Sequence, residues 1–83
     1  MNVDKKDHFI DIAGEVCPFT FVKTKILLDK VERGSTVRVR LSGAESIKNV
    51  PASVRSEGHL ILSCHPENTG DPYGPHILTI EKQ

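Results

Sequence analysis

The sequence predicts an α+β fold: a two-layer sandwich in the order β-α-β-α-β-β, with a four-stranded mixed sheet and two helices on one face. Three observations carry that expectation. Thr36-Val37-Arg38-Val39-Arg40-Leu41 and His76-Ile77-Leu78-Thr79-Ile80-Glu81 alternate with period two, as strands with one buried face do. Between Pro18 and Gly34 the apolar residues instead recur at spacings of three, four and seven, the helical period. Finally, 83 residues leave room for one core, so the whole of 1–83 reads as a single domain whose elements share one pair of layers.

The elements follow in order. Residues 1–7 are polar and read as a disordered start. Phe9 to Ile12 is a short strand that Gly14 ends. Pro18 suits the first position of a helix, where its missing N–H leaves nothing unsatisfied and its φ is already right. Val22, Ile26 and Leu27, with Phe21, Leu28 and Val31, form its apolar stripes; Lys23, Lys25, Asp29 and Lys30 leave the other face polar, and Gly34 closes it. Thr36–Leu41 then points Val37, Val39 and Leu41 inward. Ser42 to Glu45 is a turn, and Ser46 to Lys48 a second one. Pro51 again reads as a first helical position, giving a short helix from Pro51 to Glu57 closed by Gly58. Leu60-Ile61-Leu62 opens a third strand, Pro66 to Pro75 is dense in turn residues, and His76–Glu81 is the fourth strand. The first crossover is right-handed, which puts its helix on one face, and the last two strands pair as a hairpin across a long loop.

Composition narrows the function. Eleven basic residues balance eleven acidic ones, so the formal net charge is zero. A nucleic-acid binder concentrates positive charge, and so does an electrostatic membrane anchor; neither is expected. Apolar runs stop at three residues, too short to span a bilayer, and Met1 to Asp7 lacks the apolar segment of a secretory signal. The expectation is a cytoplasmic protein. His59, Cys64, His65 and His76 gather in the last third, but without a Cys-x-x-Cys pair they fit no closed tetrahedral set, so no metal site is expected.

Cys17 is the residue with the most pointed setting. It falls just before the first turn of the first helix, where unpaired N–H groups and the positive end of the helix dipole favour an anion. Both effects lower a thiol pKa and make the sulfur a usable nucleophile near neutral pH. The plain alternative is a small buried hydrophobe. No general base accompanies Cys17: His8 lies in the polar start, and Glu15 repels a thiolate. That favours a group carrier over an enzyme that transforms a small molecule alone.

Asp11-Ile12-Ala13-Gly14-Glu15-Val16-Cys17-Pro18 resembles the signature of the TusA/SirA-like sulfur-carrier family, in which a strand and a glycine lead into Cys-Pro-x-Pro at the start of the first helix. Arg33-Gly34-Ser35-Thr36, Asn49-Val50-Pro51 and Glu57-Gly58-His59 resemble later family landmarks, so the likeness covers nearly the whole chain. The resemblance implies the β-α-β-α-β-β sandwich and relay of sulfane sulfur as a persulfide on Cys17. It implies a protein donor of desulfurase or rhodanese type and a protein acceptor, with no cofactor. Pro18 would fix the helix start, and the backbone around Phe19 and Thr20 would hold the sulfur anion. Glu15, Phe19 and Lys23 are the candidate partner contacts. One residue departs from the pattern: Thr20 stands where the family has its second proline, restoring an N–H and adding a hydroxyl.

Two rival readings stay open. One is a non-catalytic regulatory or interaction module of the same fold. The other is a thiol–disulfide protein using Cys17 with Cys64, although the default for Cys64, at the end of an apolar strand, is packing or exposure at the strand end, with packing preferred. Arg38 and Arg40 share one strand face, where they meet a partner or pair with neighbouring acids.

Overall fold

The computed structural model describes residues 7–14, 19–71 and 74–83. They form β1 (Asp7–Asp11), α1 (Phe19–Lys30), β2 (Thr36–Leu41), α2 (Ala44–Ser56), β3 (Leu60–Pro66) and β4 (His76–Glu81). The sheet has the order β1-β2-β4-β3. β1 runs parallel to β2, and β4 runs antiparallel to both β2 and β3, so the sheet is mixed. The parallel pair requires a crossover, which α1 supplies. α1 packs on β2, α2 packs on β3, and the two helices touch each other, giving the two-layer α+β sandwich that the sequence predicts.

The period-two reading holds for the central strands. Val37, Val39 and Leu41 of β2 and Leu78 and Ile80 of β4 are buried, facing Leu28 of α1 and Val50 and Val54 of α2. Ile12 completes the core, with Ile10, Phe21, Leu27, Val31, Ile47 and Ile61 packed around it. The other face of the sheet carries Phe9, Arg38, Arg40, Thr79 and Leu60, as the strand registers require.

Several boundaries differ from the sequence reading. Asp7 is already the first residue of β1, so of the expected disordered start only residues 1–6 lie outside the described ones. α1 ends at Lys30 rather than Gly34. Gly34 sits instead in a following turn at φ 84°, with its N–H on the Lys82 carbonyl at 2.7 Å. The largest correction is α2, which begins at Ala44 and carries Pro51 in its interior, where the sequence suggests two turns and a helix starting at Pro51. An interior proline removes one hydrogen bond and costs about 3 kcal/mol. Burial of Ser46, Val50 and Val54, three residues spaced by four along one stripe across Pro51, offsets it. Gly43 at φ 91° turns the chain into α2, and Gly58 at φ 94° turns it out again.

α1 is also rotated relative to the expected stripes. Its inward line is Thr20, Thr24 and Leu28, whereas Val22 and Ile26 face outward, 45% and 50% exposed. The buried Thr24 hydroxyl is satisfied locally, donating to the Thr20 carbonyl at 2.8 Å.

β3 runs on to Pro66, further than its apolar run suggests, and contains a register shift between Ile61 and Ser63. Ile61 pairs with core-facing Ile80, but past the shift it is Cys64 that pairs with core-facing Leu78. A one-residue bulge exchanges the faces of everything beyond it.

Candidate functional site

The segment that carries Cys17 connects the end of β1 to the start of α1. Glu15, Cys17 and Pro18 lie outside the described residues; the structure defines what holds the segment at each side. On the β1 side, the Asp11 carboxylate accepts the Ala13 N–H at 3.1 Å, an Asx-type turn that bends the chain out of the strand. The Arg40 guanidinium, directly across in β2, donates to Asp11 at 3.2 Å and to Glu67 at 3.0 Å. The Ser42 hydroxyl donates to the Ala13 carbonyl. Strand end, turn and the β3–β4 loop are thereby tied together at one end of the sheet. The Ala13 N–H, followed by the Arg40 guanidinium, holds the Asp11 carboxyl below its usual range.

On the α1 side, the first described residue, Phe19, is 57% exposed, and Thr20 behind it is buried. Lys23 is exposed one turn further on. Together with Val22 and Ile26, Phe19 forms an apolar strip along the outward side of the helix. Lys25, in contrast, is engaged with the second helix layer: it reaches Glu57 at 3.0 Å and Asp29 at 3.7 Å, and these carboxylates raise its pKa.

Cys64 is a free cysteine exposed at the strand end, not packed as preferred from the sequence. β3 is an edge strand, so a residue there has a neighbouring strand on one side only. Partial burial of its sulfur still pushes the thiol pKa up, which lowers its thiolate fraction at neutral pH. Arg38 and Arg40 take the second of their two sequence options and pair with acids: Arg38 lies 3.9 Å from Asp7, and Arg40 bridges Asp11 and Glu67. The sequence points to pairing with neighbouring acids but not to Asp7, Asp11 and Glu67 as the partners; alternation signals a shared face, while the identity of the partners needs the sheet order. Among the described residues no group of three or more His, Cys, Asp or Glu side chains is placed to hold a metal ion. Nor is any described helix long and apolar enough to cross a membrane.

A parallel β-α-β unit, completed by a second helix and two antiparallel strands, defines a small two-layer α+β domain. Residues 8–82 match the family described as Sulfurtransferase TusA, and the chain belongs to that family. It is 46% identical over 57 residues to an Archaeoglobus fulgidus protein named "Putative sulfur carrier protein", covering 69% of this chain and 65% of that one. It is 30% identical over 56 residues to "Putative sulfur carrier protein YedF" of Escherichia coli K12, covering 68% and 73%. A Thermotoga maritima protein of the same description is 34% identical over 53 residues, covering 64% of this chain and 67% of its own length.

Proposed function

We propose that this chain relays sulfane sulfur as a persulfide on Cys17, from a donor protein of desulfurase or rhodanese type to an acceptor protein. The Cys17 thiolate attacks the outer sulfur of a donor persulfide. The donor's S–S bond breaks, its cysteine leaves as a thiolate, and Cys17 holds the persulfide anion. An acceptor thiolate then attacks that outer sulfur and Cys17 returns to its thiolate. Electrons balance without an oxidant, a metal or an organic cofactor.

The observation that carries this reading is α1 beginning at Phe19, immediately after Cys17-Pro18 in a chain of the TusA family. The first-turn N–H groups that have no partner within the helix belong to residues directly following Cys17, and they suit a sulfur anion. Pro18 fixes the entry to the helix, and the backbone at Phe19 and Thr20 supplies donors. Phe19 and Lys23, exposed on the same helix, and Glu15 are the proposed contacts of the donor or acceptor. The raised Cys64 thiol pKa argues against a reversible Cys17–Cys64 couple, because it makes Cys64 a poor resolving thiolate. We place the carrier in the cytoplasm as a single domain over residues 1–83.

Intact-protein mass spectrometry without reductant, after incubation with a cysteine desulfurase and cysteine, tests the reading. The expected result is a gain of one sulfur that reductant removes, absent in Cys17→Ser and retained in Cys64→Ser. Loading that follows Cys64 instead, or none in the wild type, overturns it.

A further inference from the structure

We propose that His59 is an acid-sensitive latch: its neutral ring holds the chain at Gln83 beside a groove at the end of α1, and its imidazolium lets go. The Gln83 N–H donates to His59 Nδ1 at 3.2 Å. A backbone N–H is a donor only, so this bond exists only while Nδ1 carries no proton. Protonation sets two N–H donors against each other, and the bond is lost. His59 stands at the turn between α2 and β3, where its own N–H donates to the Val54 carbonyl at 3.3 Å. The latch therefore ties the exit of α2 to the chain just past β4, 24 positions further on.

Release is bounded on the β4 side. Lys82 is held by acceptors and donors that do not titrate: its N–H donates to the Ser35 carbonyl at 2.9 Å, its carbonyl accepts the Gly34 N–H at 2.7 Å, and its ammonium donates to the Leu28 carbonyl. The Gln83 side chain donates to the Glu81 carboxylate at 3.0 Å, two residues back. That tether stays within the end of β4, so the bond that fixes Gln83 to another element is the one to His59. Lys82 and Gln83, with residues 29–33, line a groove of about 770 Å³. Freeing Gln83 widens that groove and leaves Lys82 in place.

The charges around His59 are balanced. Lys25 and Asp29 face it from α1, Glu57 from the end of α2 and Lys82 from beyond β4, two of each sign. Burial first, then the Lys82 charge, favours the neutral ring. The bond from Gln83 acts in the same direction, since only the neutral ring accepts it. The latch is closed at neutral pH and opens as pH falls below 6.5. It uses neither thiol and stands apart from the sulfur relay.

Amide and imidazole nitrogen NMR of the full chain tests it, followed from about pH 8 down to about pH 5, where histidines are the side chains that ordinarily change charge. At the upper end the His59 ring should show a bare Nδ1 and a protonated Nε2. The Gln83 amide should shift with the same midpoint as the His59 ring, and its heteronuclear NOE should fall across that transition while that of Lys82 stays level. In His59→Phe the Gln83 amide should be loose at every pH and show no transition. Three results each overturn the proposal: a protonated Nδ1 in the neutral ring, a Gln83 amide that follows another histidine or none, or Lys82 loosening together with Gln83. All three are read on the wild-type chain, so they hold even if His59→Phe fails to fold. Cys17→Ser should show the same transition as wild type, which separates failure of the latch from failure of the sulfur relay.

Discussion

The two helices lie side by side in one layer and solve opposite problems. α2 contains a residue hostile to helices, Pro51, yet buries an unbroken line of Ser46, Val50 and Val54. α1 contains no such residue, but puts Thr20 and Thr24 inside while Phe19, Val22 and Ile26 face out. In α2 tertiary burial overrides local preference, and the helix is built for the core. In α1 the apolar residues are divided between core and surface, and the exposed share runs from Phe19 at the start of the helix to Ile26 beside Ile10 of β1.

The sharpest way to break this contrast is a pair of substitutions on α1. Leu28→Ala should cost about 2–5 kcal/mol, because Leu28 is fully packed between sheet and helices. Ile26→Ala, two residues away, should stay within about 0.5 kcal/mol. Urea unfolding of both variants measures the difference, and equal costs would show that the outward strip belongs to the core. Next in size is Pro51→Ala, which restores an N–H for the Ile47 carbonyl inside α2. It should stabilise the domain by about 1 kcal/mol, the interior-proline penalty being partly offset by a more flexible unfolded chain. A loss of stability in the same titration would mean that α2 is shaped around Pro51.

The smallest effect concerns His59, at the exit from α2. Burial first, then the nearby Lys82 charge, lowers its pKa below 6.5, and the Gln83 N–H donates to its Nδ1 at 3.2 Å. The unfolded chain therefore binds this proton more readily than the folded one. Its contribution is complete above pH 6.5 and is lost as pH falls through the lowered folded value. Unfolding midpoints compared at pH 7.5 and 5.5 should show a shallower decline for His59→Gln than for wild type.

How much of this was legible in the sequence depends on whether the physics was local. β2 and β4 alternate cleanly, since both are central strands with one buried face, and their bounds and inward residues could be read directly. The start of α2 could not, because Pro51 is a strong local signal while the burial that overrules it comes from β3, β4 and α1. The rotation of α1 was hidden for a related reason: Val22 and Ile26 fit a helical period as well as Thr20 and Thr24 do, and only the packing partner decides which line turns inward. Cys64 is exposed because β3 lies at the sheet edge, a place set by the strand order and not by the apolar run that precedes it. At the candidate site, Cys17 and its helix start were legible as a motif. The clamp of Arg40 on Asp11 and Glu67 was not, since it joins residues 27 and 29 positions apart.

The position of β1 at the sheet edge has a consequence for how stability is spread across the sheet. None of the described residues of β1 is fully buried, whereas β2 and β4 carry the core strands' buried side chains. In hydrogen-exchange terms, β1, like the other edge strand β3, belongs to the part of the sheet whose opening costs less than that of β2 and β4. Opening at an edge strand therefore leaves intact the buried side chains of β2 and β4, which hold the core.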